Sequence, residues 1–284
     1  MTRLNLINVD PITHAIILNV MQITLVAFAL ALGVFGILRS ARPELDFSKG
    51  GNVWCRPLGA GDLAIVSLLF LFILLSIQPA KPDAAAPTLN SSTIISGSLF
   101  MLVIAAFLVV VVMVRGISSV EFFGLDRLSP SKTILWGILG CVVAVPMAIL
   151  AAALWLTYYI IPTMGAPEVQ QMVTFYKESA LPLDRLAVIV SACIIAPVAE
   201  EVIFRGYIYP VVKRYTEPFV AAIIISLVFS VLHHNAAALA PLVVLSLLLV
   251  IAYEVTASLW APIAIHSIFN GFNLIQTQLQ IPAP

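Results

Sequence analysis

Three ionisable side chains, Glu200, Glu201 and Arg205, interrupt an otherwise apolar run over residues 186–212. A charge at the centre of a bilayer costs about 2.5–3.5 kcal/mol on insertion scales, so ionisable groups kept there mark a site. Helical spacing divides their work. Glu201 and Arg205 stand four apart with the acid first, so they stack on one face and pair. Glu200 is rotated by about 100° from Glu201 and has no basic partner within a turn, which leaves its carboxylate free for chemistry. Pro197 removes a backbone hydrogen bond from the same helix and predicts a kink, of the kind tolerated where the freed groups face protein or a wet cavity. The competing reading is a buried ion-pair cluster that only holds helices together.

Two further polar sets occur at membrane depth, again in helical register. Phe229 and His233 are four apart and share a face, and His234 follows directly. His266 and Asn270 are also four apart, with Asn273 three further on, so they form one polar stripe. A glutamate, a histidine on a second helix and a His/Asn face on a third can converge in a bundle core. Such a set suits water activation: Glu takes a proton from water, His orients it, and the second His with Asn donates to an oxyanion. Glu200, His233 and His266 could equally hold a catalytic zinc with one open position. No His-Glu-x-x-His signature accompanies them.

The elements that must position these residues are membrane helices. The 284 residues are 61% hydrophobic and 10% charged, with a mean hydropathy of +1.08. That excludes a water-soluble domain and defines an all-α, polytopic transmembrane helix bundle. The apolar runs predict about eight spans, at 11–38, 62–77, 93–114, 133–161, 186–212, 219–233, 236–253 and 259–275. The first is too long for a signal-peptide core and reads as a span. Residues 168–180 predict a short helix on the membrane surface, with Met172, Phe175 and Tyr176 as its apolar side. A net charge of zero gives no footprint for nucleic acid, so the lipid bilayer is the expected partner. Cys55, Cys141 and Cys193 are scattered and read as small packing residues.

Taken in order, Glu200-Glu201-x-x-x-Arg205, Phe229-x-x-x-His233 and His266-x-x-x-Asn270 resemble the three motifs of the CAAX-protease and bacteriocin-processing family of intramembrane endopeptidases. The flanks Ala196-Pro197, Phe204-Arg205-Gly206 and Trp260-Ala261-Pro262 agree with it. The match is strongest over 181–274, which divides the chain into an N-terminal transmembrane region (1–132, three spans) and a catalytic membrane domain (133–284). The resemblance implies a membrane-embedded peptidase that hydrolyses a peptide bond of a membrane-associated peptide or protein. Glu200 would activate water with His233, and His266 and Asn270 would supply oxyanion or metal support. Glu201 and Arg205 would be the supporting pair, and Phe229 would shape the pocket. Members are described both as zinc metalloendopeptidases and as metal-free glutamate enzymes. The expected location is the plasma membrane of a prokaryotic cell, where a leader peptide (as in bacteriocin processing) or a small membrane protein is the natural substrate. Two rivals use the same cluster: a non-catalytic immunity or adaptor protein, and a proton-coupled carrier. The second predicts internal repeats, and the sequence shows none.

Overall fold

The computed structural model describes residues 50–76, 89–165, 171–179 and 181–279, and among them every regular element is helical. In chain order these are α1 (Ala60–Ser76), α2 (Ser91–Val114), the single turn α3 (Ser119–Phe123), α4 (Pro130–Thr163), the short α5 (Gln171–Glu178), α6 (Pro182–Tyr215), α7 (Pro218–Val231), α8 (Leu239–Thr256) and α9 (Trp260–Gln278). The expected span at 11–38 lies outside the described residues.

Each expected span from the second to the eighth corresponds to one of these helices, with ends set by local chemistry. α2 begins at a capping box: Asn90 Oδ1 accepts from Thr93 N–H and Thr93 Oγ1 accepts from Asn90 N–H, both at 3.0 Å. α4, α6 and α7 each start with proline in the first turn, where its missing N–H costs nothing. α8 begins three residues later than hydropathy suggests. Asn235 Oδ1 accepts the Ala238 N–H at 3.0 Å and closes a turn ahead of the helix.

Four helices, α2, α4, α6 and α8, are long and apolar enough to cross a membrane, and the chain is an integral membrane protein. Two of the eight expected spans are shorter. The 14 residues of α7 rise only about 21 Å against a hydrocarbon core of about 30 Å, and α1, Ala60–Ser76, has 17 residues. Periodicity shows where a helix runs and not how deep it sits.

α6 lies at the centre. It packs on α2 along one side and on α9 along another, and α7 folds back against its C-terminal half. The N-terminal region, set apart in sequence, shares a core with it here. Val53, Cys55, Leu58, Val66, Phe70, Leu108 and Val112 are buried in one cluster with Ala199, Ile203, Tyr207 and Phe229. α4 packs on α8 and α9 through small residues, Gly137, Cys141, Ala144 and Ala148, which let the helices approach closely. α5 differs from expectation: its apolar side does not face lipid. Met172, Phe175 and Tyr176 pack inward with Ile94, Val188 and Leu274, because burial against three helices removes more apolar surface than lying at an interface.

Candidate active site

α6 is not a uniform α-helix. Its turns widen to π geometry over Ser191–Ile195 and again over Val202–Ile208, and such bulges occur frequently at functional sites. Glu200 and Glu201 sit between the two wide segments. Pro197, expected to kink this helix, follows the first bulge directly and lacks the N–H that would continue the ladder.

The expected pair forms. Arg205 Nη1 donates to Glu201 Oε1 at 2.8 Å, with both side chains fully buried. Arg205 Nη2 donates to Ser246 Oγ on α8 at 2.7 Å, and its guanidinium lies 4.5 Å from the centroid of the Phe229 ring. A buried cation is tolerated only when paired and hydrogen-bonded. Carboxylate, hydroxyl and aromatic face meet most of that need; among the described residues the buried Nε–H has no hydrogen-bond partner.

His266 joins the two acids. Its Nδ1 lies 2.8 Å from Glu201 Oε1, and its Nε2 lies 3.9 Å from Glu200 Oε2. A carboxylate can only accept, so Nδ1 carries a proton and donates it to Glu201, while Nε2 faces Glu200. Glu201 thereby fixes the tautomer of His266 as well as the position of Arg205. Glu200 differs from its neighbour in access. Its side chain is 17% exposed while that of Glu201 is 0% exposed, and among the described residues its buried Oε2 has no hydrogen-bond partner.

Phe229 is fully buried and is the hub of the cluster. It packs edge-on to Phe204 at 5.3 Å and to His266 at 5.9 Å, and its centroid is 4.6 Å from that of His233. His233, at the C-terminal end of α7, donates from Nδ1 to the Phe229 carbonyl at 2.7 Å. It is exposed, and among the described residues no hydrogen bond or ion pair joins it to Glu200. The expected convergence is therefore partial: Glu200, Glu201, Arg205, Phe229 and His266 assemble, while His233 is reached through the Phe229 ring. Asn270 is directed elsewhere, its Nδ2 donating to the Ala192 carbonyl at 2.8 Å. Asn273 is exposed.

The zinc set does not assemble in this geometry. Among the described residues no group of three or more His, Cys, Asp or Glu side chains is gathered to hold a metal ion, because His233 stands apart from the Glu200–His266 pair.

Sequence reasoning missed the polar residues that fix α6 from outside the motifs. Glu201, Arg205, Tyr209 and Lys213 recur every fourth residue. The last two meet Glu254 of α8, with Tyr209 Oη at 2.7 Å and Lys213 Nζ at 2.5 Å from its Oε1. Glu254 Oε2 accepts the N–H groups of Asn52 and Val53 at 2.6 and 3.1 Å, strapping the 50–58 loop to the helix. Asp62 does the same one element on, accepting from Tyr207 Oη at 2.8 Å and from Arg115 Nη1 at 2.5 Å. The four-residue stripe was a readable signal; its partners Ser246, Glu254 and His266, 41 to 65 residues away on other helices, were not.

Residues 182–272 match the model of the Type II CAAX prenyl endopeptidase Rce1-like family. That stretch, about a third of the chain, contains all three motifs, and the chain is similar to the family there. Over 172 residues, 61% of this chain and 68% of the relative, the protein is 27% identical to YdiL of Bacillus subtilis (strain 168), which is named as a candidate membrane peptidase. No solved structure matches the chain.

Proposed function

We propose that this chain is a multi-pass membrane endopeptidase of a prokaryotic plasma membrane, hydrolysing a peptide bond in a membrane-associated peptide or protein. One observation carries the reading: a partly accessible carboxylate, Glu200, whose buried oxygen has no hydrogen-bond partner among the described residues and lies 3.9 Å from Nε2 of His266. With His266 in its neutral form both atoms are acceptors, and a substrate water held between them is oriented with its own lone pair toward an incoming carbonyl. Glu200 takes one water proton as the water oxygen adds to the carbonyl carbon. The C–N bond then breaks, and the proton passes from Glu200 to the leaving amine, giving a carboxylic acid and an amine. His233 offers its Nε2 at the open side of the cluster, where catalytic contacts commonly tighten only when substrate is bound. Glu201 and Arg205 hold His266 and Phe229 in place.

The test compares terminal peptides from membranes expressing the wild-type chain and Glu200→Gln at equal abundance. Gln keeps the shape and removes the base, so a cleavage product confined to the wild type is expected. The same membranes are run with zinc and with a chelator, and neither is expected to change the product. Product in both the wild type and Glu200→Gln would overturn the mechanism. A phenotype preserved by Gln without any cleavage would favour the immunity or adaptor reading.

A further inference from the structure

Asn270 stands in the third motif, where the sequence reading assigned it to an oxyanion. Its observed partner is a backbone carbonyl. In an α-helix, Ala192 O would accept the N–H of Ala196. Here the first wide turn of α6 shifts that donor by one residue, and Ala196 N–H bonds Ser191 O instead. The donor one residue further on would be residue 197, which is proline and has no N–H. The wide turn and the proline together leave Ala192 O without a backbone partner inside the membrane, where an unpaired carbonyl is costly. Asn270 Nδ2 fills that position at 2.8 Å. Only the amide nitrogen can donate to a carbonyl, so the orientation of the Asn270 amide follows from chemistry.

The same turn is held from its other side. Ser98 Oγ of α2 donates to Ile94 O at 2.9 Å, and this spends its one hydrogen. In the short contact between Ser98 and Ser191 hydroxyls, Ser191 is therefore the donor. α2 and α9 thus grip the wide turn from both flanks, one turn before Glu200 and Glu201. Since the wide turn rotates everything after it about the helix axis, its retention sets which way the two acids face.

We infer that Asn270 is a positioning residue that caps the Ala192 carbonyl orphaned by the π turn and Pro197, and so locks the register in which Glu200 and Glu201 face His266. As far as it concerns activity, this role rests on the function proposed above; the backbone coupling does not. The pairing makes a specific demand. Pro197→Ala restores an N–H. Whether α6 keeps the wide turn, with residue 197 bonding Ala192 O, or reverts to α geometry, with Ala196 bonding it, the carbonyl regains a backbone partner. Asn270 then becomes dispensable for capping.

The experiment places Asn270→Ala and Asn270→Asp in the Pro197 and the Pro197→Ala chains. Each full-length protein is read by its SDS unfolding midpoint in mixed micelles and by the cleavage product. Asn270→Asp keeps the size but loses the donor. Expected are a lowered midpoint for both substitutions in the Pro197 chain and little or no change in the Pro197→Ala chain. Product formation, lost with Asn270→Ala alone, should return in the double variant to within a few-fold of Pro197→Ala. Equal lowering of the midpoint in both chains would overturn the inference. So would a product loss of about 10²–10³-fold, the size expected for a missing oxyanion donor, that Pro197→Ala does not relieve. If the wild-type chain yields no product, the midpoints still decide the coupling while the proposed function fails by itself.

Discussion

Arg205→Met tests whether the buried cation exists to serve Glu201. Met has similar length and can still lie against the Phe229 ring, so little volume is lost. What is lost is the bond to Glu201 at 2.8 Å, the bond to Ser246 Oγ at 2.7 Å and the cation–π contact at 4.5 Å. Breaking a buried pair from one side costs about 3–5 kcal/mol, mostly because the other charge is left uncompensated. Glu201, fully buried and with its Oε2 already without a hydrogen-bond partner among the described residues, fits that case. Adding Glu201→Gln removes the stranded charge, while the amide oxygen still accepts from His266 Nδ1–H. Replacing both members of a buried pair is often close to neutral. The double variant should therefore recover about 2–3 kcal/mol, retaining only the loss of about 1–3 kcal/mol expected for an unsatisfied Ser246 hydroxyl. Reversible SDS unfolding in mixed micelles measures all four corners of the cycle. A double variant as unstable as the sum of the two single changes would refute the reasoning. It would mean that Arg205 acts mainly through Ser246 and Phe229.

Gly140→Ala should destabilise the α4–α9 contact by about 1–3 kcal/mol, the usual cost of overpacking, since a Cβ there would lie 2.4 Å from two side-chain carbons of Ile265. Ile265→Ala in the same chain should return most of that loss in the unfolding midpoint. Glu254→Ala leaves Lys213 buried and releases the N–H groups of Asn52 and Val53. Hydrogen exchange at those two amides should speed up at least tenfold, with stability lower by about 3–5 kcal/mol. Burial pushes the Cys55 thiol above its ordinary range, and the nearby Lys213 only partly offsets this. The reactive thiolate is thus scarce at neutral pH, so maleimide should label Cys55 slowly in the folded protein and readily after SDS unfolding.

How much was legible in the sequence follows from the range of each interaction. The Glu201–Arg205 pair is local, fixed by one turn of helix, and spacing alone predicted it. The helices α1, α2, α4 and α6 to α9 follow from hydrophobic runs, which are set over a few residues. His266 was found as one member of a polar stripe, but its bonding to Glu201 as well as its approach to Glu200 was not legible. Which acid a ring on another helix meets depends on the rotation of two helices about their axes. The wide turns at Ser191–Ile195 and Val202–Ile208 change that rotation. The placement of His233 also escaped, because four-residue spacing puts it on the face of Phe229 without saying how far α7 reaches along α6.

The sequence by itself determined that this is a helical membrane protein, which acid is paired and which is left free, and which three short motifs carry the resemblance. Composition, period and i,i+4 contacts are properties of a single segment. Only the tertiary structure decided that Glu254 and Asp62 strap the N-terminal loop to α6, that Arg205 ends on Ser246 and Phe229, and that Asn270 turns to Ala192 O. Each of these joins groups on different elements, and each partner is selected by what burial leaves unsatisfied. A buried carbonyl, cation or carboxylate must find a partner wherever packing brings one, and no spacing along the chain encodes where that is.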